Sequence, residues 1–162
     1  MKHWLVSVAS VAILVSGCAA LRDPIDQRST QGPTAEQLWT YRTVTQNGRE
    51  PTFEERNHWD MELDMAVSRY LAAHPEVANG YDVSTFRYSR QVAVGMTKEQ
   101  VLMLLGAPDE TTSDHAQMEK LARKFWPQLE GNATEAWSYP LGWHLYFAGQ
   151  RLIDITQHVP RE

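Results

Sequence analysis

Few residue types in this chain are placed to do covalent or redox chemistry. There is one cysteine, Cys18, and the six histidines include five beyond residue 17: His58, His74, His115, His144 and His158. None of these histidines falls at a metal-ligand spacing such as HxH or HExxH. A thiolate site lacks its second cysteine, and the chain carries neither a GxSxG elbow nor a glycine-rich loop between strand and helix. Asp60, Glu62 and Asp64 lie on one predicted helix, but alternate helical residues point about 200° apart, so they make a solvated face and not an acid cluster. Asn132-Ala133-Thr134 spells a glycosylation sequon that fits chance better than use. The expectation is therefore a protein without catalytic residues, metal ligands, cofactor or small-molecule substrate.

Cys18 does have a chemical context. Lys2 supplies a positive start and Leu5 to Val15 is an uncharged apolar run ending in small residues, the layout of a secretory leader. The run is well short of the ~20 residues that cross a bilayer as a helix. Val15-Ser16-Gly17-Cys18 resembles the bacterial lipobox, in which the cysteine is acylated and the leader cut before it. A lone thiol in an oxidising compartment has no disulfide partner, and acylation would consume it. Two or three acyl chains hold a protein at a bilayer where one alone binds marginally. Ala19, in place of aspartate, points to the outer membrane by resemblance to enterobacterial sorting, so the expected location is its periplasmic face.

Residues 1–17 are thus expected as the leader and 18–33 as a lipidated tether, because AALRDPIDQRSTQGP is polar with two prolines and no apolar period. The remainder has the length of one domain, and its negative balance, −5 over the whole chain, argues against nucleic acid as partner.

Beyond the tether, residues 34–91 read as a helical extension. Thr34 and Gln37 open a short helix that Asn47-Gly48 would stop. Thr52-Phe53-Glu54-Glu55 is a capping box that starts a long helix over 53–73, with Trp59, Leu63, Ala66, Val67, Tyr70 and Leu71 on one face and His74-Pro75 at its end. Phe86 and Arg90 suggest another short helix over 84–91. Thr97-Lys98-Glu99-Gln100 is a further capping box, Val101 and Leu104 give the stripe, and Gly106 with Pro108 stops the helix. Met118, Leu121, Ala122 and Phe125 predict an amphipathic helix over 114–125, ended by Pro127, with Lys120, Arg123 and Lys124 on its polar side available to headgroups or an acidic protein. The period then changes to that of strands at 135–139, 143–148 and 151–159, a three-stranded meander. Turns centred on Ala148-Gly149 and on Gly149-Gln150 remain equally open, and they place opposite faces inward.

The stretch Val92-Ala-Val-Gly95-Met96-Thr97-Lys-Glu-Gln100-Val101-Leu-Met-Leu-Leu105-Gly106-Ala-Pro108 resembles the signature of SmpA/OmlA lipoproteins, the family that holds the small BamE-like lipoprotein of the β-barrel assembly machinery. Trp137-Ser-Tyr139, Trp143 to Phe147 and Arg151-Leu152 are similar to that family's strands. The resemblance implies an α+β domain over 92–162, helices packed on one face of a three-stranded antiparallel sheet (ααβββ), with 34–91 and a helical insertion at 113–133 as additions. It implies structural work for Gly95, Met96, Thr97, Gln100, Val101, Leu105, Gly106, Pro108, Trp137 and Tyr139. Trp143 and Tyr146 are the candidate partner surface.

Together these observations predict a lipid-anchored, non-enzymatic scaffold or binding module with an envelope protein as partner. The alternative is a periplasmic inhibitor that meets a hydrolase through its sheet face. Cys18→Ser is expected to move the protein from the envelope to the soluble fraction, and the native protein's mass is expected to exceed that of the cleaved chain by its acyl groups. An unmodified Cys18 thiol would overturn the anchor.

Overall fold

A computed structural model describes residues 25–80 and 82–160. The expected leader, Cys18 and the first part of the expected tether lie outside the described residues. Strands Ile25–Ser29 (β1) and Gln31–Thr34 (β2) precede helices Ala35–Asn47 (α1), Phe53–Ala73 (α2) and Pro75–Ala78 (α3). A π-helical turn at Thr85–Ser89 leads to Gln91–Ala93 (β3), Lys98–Leu105 (α4) and Glu110–Thr112 (β4). His115–Ala122 (α5), a 3₁₀ turn and Trp126–Leu129 (α6) come before Glu135–Tyr139 (β5), Trp143–Ala148 (β6) and Arg151–Val159 (β7).

The fold is α+β, as expected, but the sheet is larger than the meander. Its order is β1-β7-β6-β5-β4 with antiparallel neighbours, and β2 pairs separately with β3. Both added edges are polar, which is why no apolar period announced them. Residues 25–33 are consequently not tether. In β1, Gln27 donates to Gln157 at 3.0 Å and Arg28 to the carboxylate of Asp154 at 2.8 Å. The strand is held by its ladder with β7 and by these polar pairs, so it needs little apolar surface of its own. Between β6 and β7 the turn is Gly149-Gln150, with Ala148 opposite Arg151 and a bulge beside Tyr146. The bulge lets both Leu145–Ile155 and Phe147–Leu152 face the same core.

Helices cover the sheet on both faces and not on one. Leu38 of α1, Leu63, Val67 and Tyr70 of α2, and Val101 and Leu104 of α4 share a core with Trp137, Leu145 and Phe147. Across the sheet, Met118 and Ala122 of α5 and Trp126 and Leu129 of α6 pack on Ala136 and Tyr146. Alternation along β5 and β6 puts Trp137, Tyr139, Trp143, Leu145 and Phe147 on one face and Ala136 and Tyr146 on the other, and all of these are buried. The 34–91 extension together with α4 therefore covers one face of the sheet, and the 113–133 insertion the other.

Local signals explain most element ends. Thr52 and Thr97 each close a reciprocal capping box, with Glu55 and Gln100 respectively. The helix expected over 114–125 is broken earlier than Pro127, at Arg123, where φ is +55°. Pro127 then sits in the first turn of α6, where its missing N–H costs nothing.

The β5–β6 turn has no room to spare. Gly142 has φ +73°, and a Cβ there would lie 1.8 Å from the His158 carbonyl oxygen, whereas Gly149 at φ +58° faces open space. Gly142→Ala is expected to destabilise by about 3 kcal/mol or more, since backbone must move. Gly149→Ala should cost only the left-handed backbone penalty of roughly 1–2 kcal/mol. Urea unfolding of both variants checks the ranking, and equal costs would contradict this turn geometry.

Candidate binding surfaces

The motif residues that carry the resemblance are placed as structural parts. The Gly95 N–H donates to the Leu152 carbonyl at 2.8 Å, and the Leu152 N–H donates to that of Met96 at 2.8 Å, stitching the turn before α4 to β7. Thr97 and Gln100 cap α4, and Val101 and Leu105 are buried. Gly106 ends the helix at φ +70°, its carbonyl accepts from the Tyr139 hydroxyl at 3.0 Å, and Pro108 follows. Burial pushes the Tyr139 hydroxyl well above its ordinary pKa. Arg42 of α1 donates to the carbonyls of Leu105 (2.6 Å) and Ala107 (2.8 Å), neutralising the C-terminal end of α4 and tying the extension to it. Trp137 packs on Phe147 with ring centroids 4.5 Å apart. Lys98 reaches over Trp137 and pairs with Glu135.

Trp143 and Tyr146, expected as partner surface, are core residues. Trp143 is 7 % exposed and Tyr146 0 %, and they point to opposite faces of β6. Tyr146 hydrogen-bonds Thr156 at 3.2 Å, and burial raises its hydroxyl pKa. The alternation of a strand shows which residues share a face but not whether that face is covered. An inhibitor-type contact through Trp143 has no exposed indole to use.

Lys120, Arg123 and Lys124 all stay exposed, and the last two, in the turn after α5, also reach the sheet. Lys124 pairs with Asp26 of β1 at 3.0 Å, and Arg123 lies 2.6 Å from His158 of β7. These side chains fasten the insertion to the sheet edge. The histidines have structural neighbours: His74 stacks on Tyr70 at 4.2 Å, His115 meets the edge of Trp126 at 4.7 Å, and His58 pairs with Glu62 at 3.3 Å.

Exposed aromatic surface lies elsewhere, on the extension. Phe53 at the start of α2 is 78 % exposed and Tyr88 in the π-helical turn 75 %. Both border a groove of ≈ 460 Å³, with Trp59 behind them and the ion pairs Arg56–Glu36 and Arg90–Asp60 along it. Trp59 is braced by stacking on Trp39 with centroids 4.7 Å apart. The wall that bears Tyr88 is unusual backbone. After the π-turn, Arg90 takes φ +47°, ψ +40°, a left-handed conformation unfavourable for arginine. Its carbonyl accepts from the Ala35 N–H at 2.8 Å, and its guanidinium reaches Asp60 and, at 3.5 Å, Asp64. Its backbone and its side chain thus hold this strained turn from two sides. The signal in the sequence was slight: Phe53 falls outside the apolar stripe of α2, and Tyr88 lies two residues from the buried Phe86.

Compared with protein-family models, curated proteins and solved structures, the chain gave no match.

One histidine makes the fold sensitive to pH. His144 is 3.0 Å from Ser138 Oγ, and burial, with a lesser contribution from the charge of His158, pushes its pKa down to about 4. An unfolded chain takes up this proton near pH 6.5, whereas the native state refuses it until about pH 4. Stability contributed by the neutral imidazole is therefore complete above pH 6.5 and declines as pH falls between those values. His144→Gln should flatten this part of the curve in urea unfolding series, and an unchanged slope would contradict the assignment.

Proposed function

We propose that this chain is a lipid-anchored, non-enzymatic binding module of the bacterial envelope, held at the periplasmic face of the outer membrane and supporting outer-membrane protein assembly or envelope integrity. The anchor rests on the leader and the Val15–Cys18 motif. The link to barrel assembly rests on the SmpA/OmlA-like residues 92–108. Contact as the mode of action rests on one observation above others: the two most exposed aromatic side chains among the described hydrophobic residues, Phe53 and Tyr88, border the same groove. Leaving two rings in water forgoes roughly 1.5–3 kcal/mol of burial each, and a partner that covers them recovers it. Aromatic anchors flanked by ion pairs are the usual core and rim of a protein interface.

A photocrosslinker at Asn57, beside the groove, is expected to trap an envelope protein in intact cells. In the Phe53→Ser/Tyr88→Ser variant the crosslink should be lost while the urea midpoint moves by no more than about 0.5 kcal/mol equivalent, as for surface substitutions. Undiminished crosslinking in that variant would sink the groove as the contact surface.

A further inference from the structure

β1 begins at Ile25, seven residues after Cys18, so an anchor on that cysteine holds the start of the strand no farther than roughly 23 Å from the bilayer at full extension. The tether expected over 18–33 would have allowed about 50 Å. Ile25 lies opposite Val159 and Asp26 opposite His158, whereas the Gly149-Gln150 turn closes the other end of β7. β7 is nine residues long, which sets its two ends roughly 26 Å apart. Two cations sit at the anchor end. Lys124 Nζ pairs with the Asp26 carboxylate at 3.0 Å and donates to the Asp26 carbonyl at 3.1 Å, and Arg123 lies 2.6 Å from His158. Lys120 lies four residues before Lys124, on α5, and all three remain exposed.

We propose that the corner formed by Lys120, Arg123 and Lys124 lies against anionic phospholipid headgroups of the bilayer that holds the anchor. The proposal rests on acylation of Cys18. Charges are screened within about 8 Å at physiological ionic strength, so exposed cations act on a membrane only where the chain keeps them close to it. The short reach from Cys18 to Ile25 does that for this corner and for no sheet end beyond it. Ile25, 40 % exposed, adds an apolar side chain beside the cations. Even with Glu119 and Asp26 counted against the three cations, the corner stays net positive on a chain whose balance is −5. So small an excess would not recruit a free protein to a bilayer. The anchor makes the contact intramolecular, however, and a weak attraction then suffices to choose which side faces the lipid. The far end of the sheet opposes it in sign. Around Gln150 stand the exposed carboxylates of Glu76, Asp82 and Glu99, with Arg151 as the only arginine or lysine among them. Attraction at one end and repulsion at the other favour the same orientation.

The test uses the acylated protein, ¹⁵N-labelled, in phosphatidylcholine nanodiscs that contain cardiolipin and a lipid bearing gadolinium on its headgroup. The Lys124 amide signal is expected to be lost to paramagnetic broadening while those of Gly149 and Gln150 persist. In discs without cardiolipin, and for Lys120→Gln/Arg123→Gln in discs with it, the Lys124 signal should recover intensity while the spectrum away from the corner stays in place. Intact mass separates this proposal from the anchor it rests on. An unacylated Cys18 overturns both together. With acylation present, equal broadening at the two ends of the sheet overturns the proposed corner and leaves the anchor standing. Loss of the Lys124 signal that is undiminished without cardiolipin or in the variant does the same.

Discussion

Alternation along β6 sends Trp143, Leu145 and Phe147 to one face of the sheet and His144 and Tyr146 to the other. A strand built this way has an apolar side and a second side where the Tyr146 ring is fully buried beside a half-buried His144, so both sides need a cover. That requirement organises the rest of the chain. α1, α2 and α4 meet it on one face, and α5 with α6 meet it on the other. The polar edges β1 and β4 then extend the ladder without adding to the apolar surface that needs a cover.

Fastening strand to strand, helix to helix and cover to sheet consumes much of the polar chemistry. Arg28 is committed to Asp154, Arg42 to the C-terminal carbonyls of α4, Lys98 to Glu135 and Lys124 to Asp26. Asp154 is the most buried of these carboxylates and also accepts from the Ile155 N–H at 2.9 Å, so its charge is compensated by two kinds of donor. Of the cations that looked available for a membrane or a partner in the sequence, Lys124 pairs with Asp26 and Arg123 lies against His158, while all three, Lys120 included, keep an exposed side chain. With the strands sealed, the most exposed aromatic side chains among the described residues are on the helical extension, Phe53 and Tyr88.

Elements were legible in the sequence where periodicity and a local chemical stop agreed. α2 and α4 have a capping box, an apolar stripe and a terminator, and β5, β6 and β7 have dense aromatic and β-branched runs between turn residues. β1 left no trace because its partners lie about 130 residues away and its contacts are polar. Pro127 misled because a proline inside an apolar period can begin a helical segment as readily as end one, and the break at Arg123 depends on tertiary contacts to β7. Trp143 and Tyr146 misled for a different reason. Whether a strand face is open depends on what the rest of the chain lays over it, and that information is spread over 34–91 and 113–133. Phe53 and Tyr88 are likewise defined by what fails to cover them.

A module whose sheet is sealed and whose aromatic pair is not should meet its partner through helices. Hydrogen–deuterium exchange of the protein in native envelopes, compared with the purified chain in detergent, tests this most directly. Added protection is predicted at 53–65 and 85–90, with none gained along 135–159. Protection that instead arrives on the strands, or no difference at any of these segments, would contradict contact through the helical cover.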